Sequence, residues 1–401
     1  MSRWITIVGI GEDGLDGLGK RARDVIAGAE VFVGGDRHLE FVADRDAERV
    51  SWGKDFDHGV AAIRKHRGKR VVVLASGDPL HFGVGATLSR RFGIEALEII
   101  PAPGAFSLAA ARLGWSIPDV TCLTVHGRSL ETVNLYLRPG GRLLVLSWDG
   151  TTAAKLAALL TAKGYGDSNL MVLEHMGGDV ENTIAETATA WTVTETAALN
   201  TIAVELVAGS DAAVWSRAAG LPEEAYRHDN MITKREVRAV TIAALAPLPG
   251  EVLWDVGAGN GSVAIEWLRL EPSAKAIAIE KTPARADNAR FNALELGVPR
   301  LKVVDASAPA AFDDLDDDPD AVFAGGGLNA ELLAACWHRL KSGGRLVANA
   351  VTLEGRAALM AQREAGGGEL VQIAISREAP VGPRAALKPM MEVWQLRAHK
   401  S

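Results

Sequence analysis

Short apolar runs recur along the whole chain, and each ends in glycine or a polar residue before the next pattern begins. Arg70–Ala75 is almost entirely aliphatic, as expected of a strand covered on both faces. Gly19–Gly28 and Thr152–Gly164 instead carry helical patterns. The other runs that we interpret as strands are Trp4–Val8, Val31–Val33, Leu97–Pro101, Gly141–Ser147, Leu170–Glu174, Thr201–Leu206 and Gly344–Val351. Because strands and helices alternate, we predict an α/β fold in both halves.

The stretch Leu253–Val263 combines an apolar run with an acid and glycines, and a helical pattern follows it. Asp255 precedes Gly257, Gly259 and Gly261. Glycine lets the backbone approach a ligand closely, and the start of the next helix offers free amides to an anion. A turn that only packs tightly would show the same residues, so this motif alone is weak evidence for a nucleotide site.

Later strands in the same half strengthen the interpretation. Ala276–Glu280 ends in a carboxylate at about the separation where α/β folds place the acid that binds ribose hydroxyls. Leu301–Ser307 ends in polar and small residues, and Asp320–Gly327 opens into a glycine loop. Because the carboxyl ends of parallel strands meet at one edge of a sheet, these termini should face a single crevice. The sequence therefore predicts a ribose-bearing ligand.

Nicotinamide dinucleotides and S-adenosylmethionine are both bound by this architecture. The glycines give G-x-G-x-G, whereas the dinucleotide fingerprint has its third small residue one place later, where Ser262 fits only loosely. Glu369–Ser376 and Met391–Arg397 are predicted strands, and the prolines between them exclude a crossover helix. The two strands must then pair antiparallel. A parallel sheet with a terminal antiparallel hairpin resembles the Rossmann-like class I methyltransferase fold, which favours S-adenosylmethionine.

Length and composition narrow the class of protein. A chain of 401 residues exceeds what one core usually serves, which predicts two domains. The net charge of -7 and the lack of a basic block argue against nucleic acid or an anionic membrane as the main partner. Two cysteines without metal-type spacing indicate neither a disulfide framework nor a zinc site. With no apolar run near ~18 residues and no signal-peptide pattern, we expect a cytoplasmic protein.

The first half has glycine turns of its own. Gly9–Gly11, Ser76–Pro79 and Pro103–Ser107, in this order and spacing, resemble the tetrapyrrole methylases of corrin and sirohaem synthesis over nearly all of residues 1–208. The resemblance implies two α/β subdomains, separated around residues 138–140, with S-adenosylmethionine in the cleft between them. Glu12 stands where many members have proline, so no contact is assigned to it. By motif, the implied cofactor-binding residues are Gly77, Asp78, Phe106, Ser107 and Trp148.

The second half resembles another family. After a predicted linker at residues 209–230, Met231–Arg238, the glycine motif, Val304–Ala306 and Phe323–Gly326 resemble the precorrin methyltransferases that methylate carbon 15 and decarboxylate an acetate arm. The resemblance implies a domain at residues 231–401. Its implied cofactor-binding residues are Thr233, Asp255, Gly257, Ala258, Gly259, Asn260, Gly261, Glu280, Asp305 and Ala306.

The order of the two resemblances is that of bifunctional precorrin methyltransferases. It implies one S-adenosylmethionine per domain, with carbon 5 assigned to the first domain and carbon 15 to the second. The implied reaction methylates precorrin-6B at both carbons and removes the ring C acetate carboxylate, giving precorrin-8 in cobalamin biosynthesis.

Methyl transfer from a sulfonium needs a positioned carbon nucleophile and no metal, so proximity supplies most of the effect. Decarboxylation needs an electron sink, which the conjugated macrocycle can supply, and a site that holds and desolvates the arm. Arg384 and Lys388 are candidates for binding the substrate carboxylates, and Glu354 is a candidate for donating or accepting a proton. Solvated loop cations, and an acid at a helix start, explain the same residues equally well.

Other charged residues leave alternatives open. Three cations before the glycine motif could bind substrate carboxylates or form a solvated helix face: Lys234, Arg235 and Arg238. Three histidines near strand ends are interpreted as structural: His81, His126 and His175.

Two further hypotheses concern the whole chain. A dinucleotide-binding oxidoreductase fused to a tetrapyrrole-binding module is one alternative function, and a noncatalytic binding protein is another. As partners we expect a small-molecule tetrapyrrole and further copies of the chain in a homo-oligomer, without nucleic acid, membrane or metal.

Overall fold

The computed structural model describes residues 3–53 and 56–401. The chain forms two compact units, and the main division falls between Ala213 and Val214. The first unit contains the residues up to Arg128 together with Arg138–Ala213, and the second contains Ser129–Leu137 together with Val214–Ser401. One short segment of the first half therefore belongs to the second unit.

The first unit opens with strands and helices in alternation. They are β1 (Ile5–Ile10), α1 (Lys20–Ala27), β2 (Val31–Gly34), α2 (Asp36–Glu40), β3 (Glu48–Ser51), α3 (Phe56–Lys65), β4 (Val71–Ser76), α4 (Val84–Phe92) and β5 (Leu97–Ile100). The strands form a parallel sheet of order β3-β2-β4-β1-β5. Residues 71–75 are buried, which confirms the strand predicted to be covered on both faces.

The rest of the first unit builds a second sheet. Its elements are α5 (Ala105–Leu113), β6 (Thr121–Thr124), β7 (Arg142–Leu146), α6 (Thr152–Ala162), β8 (Asn169–Glu174), β9 (Asn182–Thr187) and β10 (Asn200–Glu205). The order is β6-β7-β10-β8-β9, and every pairing except β6 with β7 is antiparallel. Strand β9 was not predicted because this edge strand is mostly exposed and carries no apolar run.

The second unit alternates strands and helices up to its last helix. Its elements are α7 (Arg235–Leu245), β11 (Val252–Val256), α8 (Ser262–Leu270), β12 (Lys275–Glu280), α9 (Pro283–Glu295), β13 (Lys302–Asp305), β14 (Ala321–Ala324), α10 (Ala330–Arg339), β15 (Arg345–Ala350), α11 (Leu353–Gly366), β16 (Glu369–Ile373), β17 (Ser376–Val381), β18 (Arg384–Pro389) and β19 (Val393–His399). Seven strands form one sheet of order β13-β12-β11-β14-β15-β19-β16.

The end of the chain confirms the reversed hairpin. Strands β11 to β15 run parallel, whereas β19 lies antiparallel between β15 and β16. The connection from β16 to β19 also forms a separate two-stranded sheet, β17 with β18, which we did not predict. Pro380 and Pro389 lie in these strands. A two-stranded ribbon has two free edges and tolerates residues that cannot donate a backbone hydrogen bond.

Two apolar clusters cover the faces of the seven-stranded sheet, and Trp254 and Trp267 are among their fully buried side chains. The Ser129–Leu137 segment adds to this unit: Val133 and Leu135 are buried. The side chain of Asn134 donates a hydrogen bond to the carbonyl oxygen of Leu294, at the end of α9, over 3.0 Å.

Short 3-10 helices complete the two units: Ile94–Ala96, Ile117–Asp119, Leu130–Tyr136, Glu223–Ala225 and Ala310–Asp314. In the part of the chain that the structure describes, no helix has the length and apolar character needed to cross a membrane.

Candidate functional site

The glycine motif of the second unit forms the turn from β11 into α8. Gly257 and Gly259 have φ angles of +69° and +58°, in the left-handed region that favours glycine. A Cβ atom on Gly257 would lie 3.0 Å from the carbonyl oxygen of Gly326, so this glycine is required by backbone packing. A Cβ on Gly259 would meet only the carbonyl oxygen of Met231, at 3.6 Å. Gly259 therefore leaves space that a ligand can approach.

Asp255, at the end of β11, is buried and only partly satisfied. Its Oδ2 accepts a hydrogen bond from the amide of Ala264 over 3.0 Å, in the first turn of α8, while its buried Oδ1 has no partner. Burial, with a smaller contribution from nearby Glu280, raises the pKa of Asp255 to about 7, although the Ala264 hydrogen bond acts in the opposite direction. The carboxylate thus caps an amide at the start of α8, and one oxygen is left for a donor from a ligand.

Glu280, the predicted ribose-binding acid, lies at the end of β12 and is 5% exposed. Its Oε2 accepts a hydrogen bond from the amide of Gly259 over 2.8 Å, and its Oε1 accepts one from the amide of Thr282 over 2.9 Å. The carboxylate thus holds the glycine turn in shape. Each oxygen still has acceptor capacity for a hydroxyl group.

Asn260 joins the glycine turn to the segment before α7. Its side-chain amide donates to Oδ1 of Asp229 over 3.1 Å and to the carbonyl oxygen of Met231 over 3.0 Å. Oδ2 of Asp229 pairs with Arg285 over 2.8 Å. Thr233, which was expected to contact the cofactor, lies in this same segment. The side chain of Asn260 is therefore engaged with the protein itself.

The structure corrects one hypothesis about the cations. Arg238 is fully buried, and its guanidinium donates to Oε1 of Glu266 over 2.6 Å. It also donates to the carbonyl oxygens of Thr233 and Leu221. A guanidinium occupied by these acceptors is neither solvated nor free to bind a substrate carboxylate, so both earlier interpretations of Arg238 are wrong.

The remaining predicted residues of the second unit lie at strand and helix ends. Asp305 is paired in register with Glu280 and accepts a hydrogen bond from Arg290 over 2.8 Å, and Ala306 follows it, half-buried. Glu354 is exposed in the first turn of α11, and Arg384 is exposed on β18. Among the described residues, neither of these two side chains forms a hydrogen bond or ion pair, so their catalytic roles stay predictions.

In the first unit, the three predicted glycine turns meet. The amide of Gly77 donates to the carbonyl oxygen of Ile10 over 3.1 Å, and the amide of Ala102 donates to that of Gly77 over 3.1 Å. A Cβ on Gly9 would lie 1.9 Å from the carbonyl oxygen of Gly77, and one on Gly77 would lie 2.7 Å from the Cα of Gly104. Three motifs distant in sequence thus form one backbone cluster.

A cavity of about 460 Å³ opens beside this cluster. Gly77, Asp78 and Phe106 line it, whereas Ser107 is exposed and Trp148 is 55% exposed, and neither lines it. The Trp148 ring lies 5.7 Å from that of His126, which does line the cavity. The lining also includes Trp52 and His38, which the sequence analysis did not single out, and Ser76, which it gave no role. His81 and His126, which it interpreted as structural, line the cavity too.

The histidines that line the cavity have different environments. The His81 ring packs 4.8 Å from that of Phe106, within an aromatic group, whereas His38 contacts Ser76 and Arg37. Only Ser76 stood inside a motif that we had singled out. The others come from α2 and from loops whose sequences carry no motif of their own.

Comparison with known proteins agrees with this two-part organisation. A family model described as tetrapyrrole (corrin/porphyrin) methylases matches residues 5–191, and one described as a precorrin methyltransferase domain matches residues 224–400. A Sinorhizobium protein named precorrin-6Y C(5,15)-methyltransferase [decarboxylating] is 46% identical over 397 residues, which are 98% of this chain and 96% of that protein.

Two shorter relatives match parts of the chain. The cobalt-precorrin-7 C(5)-methyltransferase of Salmonella typhimurium is 32% identical over 178 residues, 44% of this chain and 87% of that protein. A Saccharolobus solfataricus protein named "Probable cobalt-precorrin-6B C(15)-methyltransferase (decarboxylating)" is 31% identical over 141 residues, 34% of this chain and 71% of that protein.

The two folds and their glycine-rich sites define a two-domain methyltransferase of the tetrapyrrole class. Identity at this level over nearly the whole length of both proteins is decisive for the family. The chain belongs to the precorrin-6Y C(5,15)-methyltransferase (decarboxylating) family.

Proposed function

We propose that this chain uses S-adenosylmethionine to methylate precorrin-6B at carbons 5 and 15 and removes the ring C acetate carboxylate, giving precorrin-8 in cobalamin biosynthesis. The observation that carries the proposal is the presence of two unlike glycine-rich sites, one in each unit, in a chain of this family. Relatives of half its length whose names give one of the two methylations support a division of the work between units.

The site of the second unit fits S-adenosylmethionine. Unpartnered Oδ1 of Asp255 and the acceptor capacity of Glu280 suit an ammonium group and ribose hydroxyls, and the start of α8 suits a carboxylate. Gly259 provides the open approach. Once bound, the sulfonium supplies an activated methyl group whose leaving group is a neutral thioether.

The first unit would hold its own S-adenosylmethionine through the backbone cluster of Gly9, Gly77 and Gly104. Its cavity of about 460 Å³ lies within the range of small-molecule sites. Asp78 is fixed there by accepting a hydrogen bond from the amide of Leu80 over 2.9 Å. We therefore assign carbon 5 to this unit, and carbon 15 with the decarboxylation to the second.

For decarboxylation, the second unit has to hold the acetate arm and shield it from water. Arg384 and Glu354 are exposed, so any contact they make with the macrocycle would form on substrate binding.

We further propose that the protein is a cytoplasmic homo-oligomer. Light scattering on the purified protein would test the oligomeric state.

One experiment tests the proposed function. Purified protein is incubated with precorrin-6B and S-adenosylmethionine, and the product is weighed by mass spectrometry. Two added methyl groups and one lost carbon dioxide are expected. A nicotinamide cofactor retained by the protein, with no methyl gain by the substrate, would instead favour the dinucleotide oxidoreductase.

A further inference from the structure

A connected row of polar side chains borders the cavity of the first unit. Arg37 and His38 lie in α2, Ser76 ends β4, Glu12 follows β1, and His175 follows β8. The Arg37 guanidinium pairs with Glu12 and extends its other terminal nitrogen to Nε2 of His38 over 2.9 Å and to Oγ of Ser76 over 3.1 Å. Ser76 Oγ lies 3.0 Å from Nε2 of His38. Of these residues, His38 and Ser76 line the cavity.

The chemistry of arginine fixes the hydrogen-bond roles in this row. A guanidinium only donates, so Nε2 of His38 has to be an acceptor, and the imidazole is neutral. Oγ of Ser76 likewise accepts from Arg37, and its own hydrogen can share the single Nε2 lone pair of His38 with the Arg37 donor. The second lone pair of the hydroxyl has no partner among the described residues, and Ser76 lines the cavity. The pair is arranged to receive a proton at Ser76 and pass one to His38.

The electrostatics point the same way. Burial, with the Arg37 charge alongside, lowers the pKa of His38 to about 4, so the ring is unprotonated at neutral pH. A base this weak suits a strongly acidic donor such as a ring cation. At neutral pH the His38 ring also remains unprotonated before the reaction, so Nε2 is able to accept a proton.

Glu12 holds this arrangement from the opposite side of the row. Its side chain is 16% exposed, and besides Arg37 it contacts Nδ1 of His175 over 2.9 Å. Glu12 thus neutralises the guanidinium and connects α2, beside the first sheet, to the end of β8 in the second. This gives a role to Glu12, to which the family resemblance assigned no contact.

We propose that His38 is the base of the first unit, that Ser76 relays the proton to it, and that Arg37 and Glu12 are positioning residues. The assignment rests on the proposed methylation of carbon 5 in this unit. The relay serves a ring carbon that carries hydrogen and stays unsaturated after methylation, because such a carbon has to lose that proton.

The step balances without a further reactant. An electron pair of the ring forms the bond from carbon 5 to the methyl group, while the electrons of the sulfur–methyl bond stay on sulfur. The bond from carbon 5 to hydrogen then breaks, and its electron pair returns to the conjugated ring. The proton binds to Oγ of Ser76 as the hydroxyl proton passes to Nε2 of His38, which later releases it to solvent.

The test uses the full chain with substrate that carries deuterium at carbon 5. His38→Ala should slow carbon 5 methylation by about 100-fold or more, the usual contribution of a general base. A primary deuterium isotope effect should appear, because proton loss becomes slow, and added imidazole should partly restore the rate. S-adenosylmethionine binding, carbon 15 methylation and carbon dioxide release should stay normal.

The companion variants separate catalysis from structure. Ser76→Ala should lose activity at carbon 5 and Ser76→Thr should keep most of it, since threonine retains the hydroxyl. Glu12→Gln should lower kcat at carbon 5 more than it changes KM. His58→Ala, an exposed histidine on α3, is the matched control and should behave as wild type.

Each contrary result has a distinct meaning. A His38→Ala variant with the normal carbon 5 rate, or with no isotope effect and no response to imidazole, would overturn the proton assignment. So would a loss of activity that is fully explained by lost cofactor binding. If the wild-type chain does not methylate carbon 5, that result contradicts the proposed function itself. The assignment of His38, which depends on that function, is then contradicted as well.

Discussion

The two glycine-rich sites of this chain, which we propose bind the same ligand, are built by different physical means. In the second unit a single strand-to-helix turn is braced by buried carboxylates, Asp255 and Glu280. In the first unit three backbone turns pack on one another, and Asp78 is the one carboxylate among the described residues that line the cavity. The first site is therefore formed by backbone, aromatic rings and histidines. The second is formed by carboxylates that are buried from solvent. Changes of pH and of single acids should affect them unequally.

The largest expected effect concerns separation of the units. A fragment of residues 214–401 lacks Ser129–Leu137, and with it the buried side chains of Val133 and Leu135. Burying each such side chain contributes roughly 1.5–3 kcal/mol, so the fragment should lose several kcal/mol of unfolding free energy. Urea unfolding of the fragment, with and without a peptide of residues 129–137, measures this. An unchanged midpoint on adding excess peptide would show that the segment is dispensable.

A second effect concerns pH and should be confined to the second unit. The pKa of Asp255 is raised to about 7 in the folded chain, so its contribution to stability is fully present below its unfolded pKa and is lost as pH rises through 7. Over the whole range between the unfolded and the folded pKa, the loss of unfolding free energy is on the order of 4 kcal/mol. Asp255→Asn keeps an acceptor for the Ala264 amide but cannot ionise. Without cofactor, its stability should fall less than that of wild type between pH 5 and 8.

The matched control for this pH experiment is Asp313→Asn, which changes an exposed acid of the same unit. Its stability profile should follow that of wild type. Parallel profiles for all three proteins in urea unfolding would show that Asp255 is ionised throughout the range.

A smaller effect is expected on cofactor affinity. Glu280→Ala removes the acceptor for the Gly259 amide and the proposed acceptor for ribose hydroxyls, and should weaken S-adenosylmethionine binding by the second unit by about 1–3 kcal/mol. Calorimetry on the full chain should then show one weakened and one unchanged site. Glu331→Ala, an exposed acid in the first turn of α10, is the control. Two unchanged sites would mean that Glu280 does not bind the ribose.

Much of the fold could be predicted because it depends on local patterns. Apolar runs located the central strands, and the prolines after Glu369–Ile373 required the reversed β19. Exposed elements such as β9, β17 and β18 were missed, because edge strands and ribbons bury too little to leave an apolar pattern.

The sites show where prediction from sequence stops. Motif residues such as Gly77 and Gly257 were found because a tight backbone turn requires glycine, and that requirement is visible in a short stretch of sequence. The partners of Glu12 were not found from the sequence, because Arg37 is 25 positions away and His175 is 163 positions away. Arg238 was misjudged for a related reason: its burial depends on Glu266, one helix later in the fold. Contacts of this kind are set by tertiary packing.

The central claim is that each unit performs its own part of the chemistry, and product analysis of two variants tests it most directly. Gly259→Leu would place a side chain at a left-handed position where the ligand approaches the backbone. It should abolish carbon 15 methylation and carbon dioxide release together, with carbon 5 methylation intact. Gly250→Leu, with a φ of +79° and no atom within 4 Å of the added Cβ, controls for backbone strain.

In the same assay, Asp78→Ala should remove only the carbon 5 methyl group. The account predicts a product of Asp78→Ala that carries one new methyl group and lacks one carbon dioxide, as read by mass spectrometry. A Gly259→Leu variant that still releases carbon dioxide at the wild-type rate, or an Asp78→Ala variant that releases none, would contradict it.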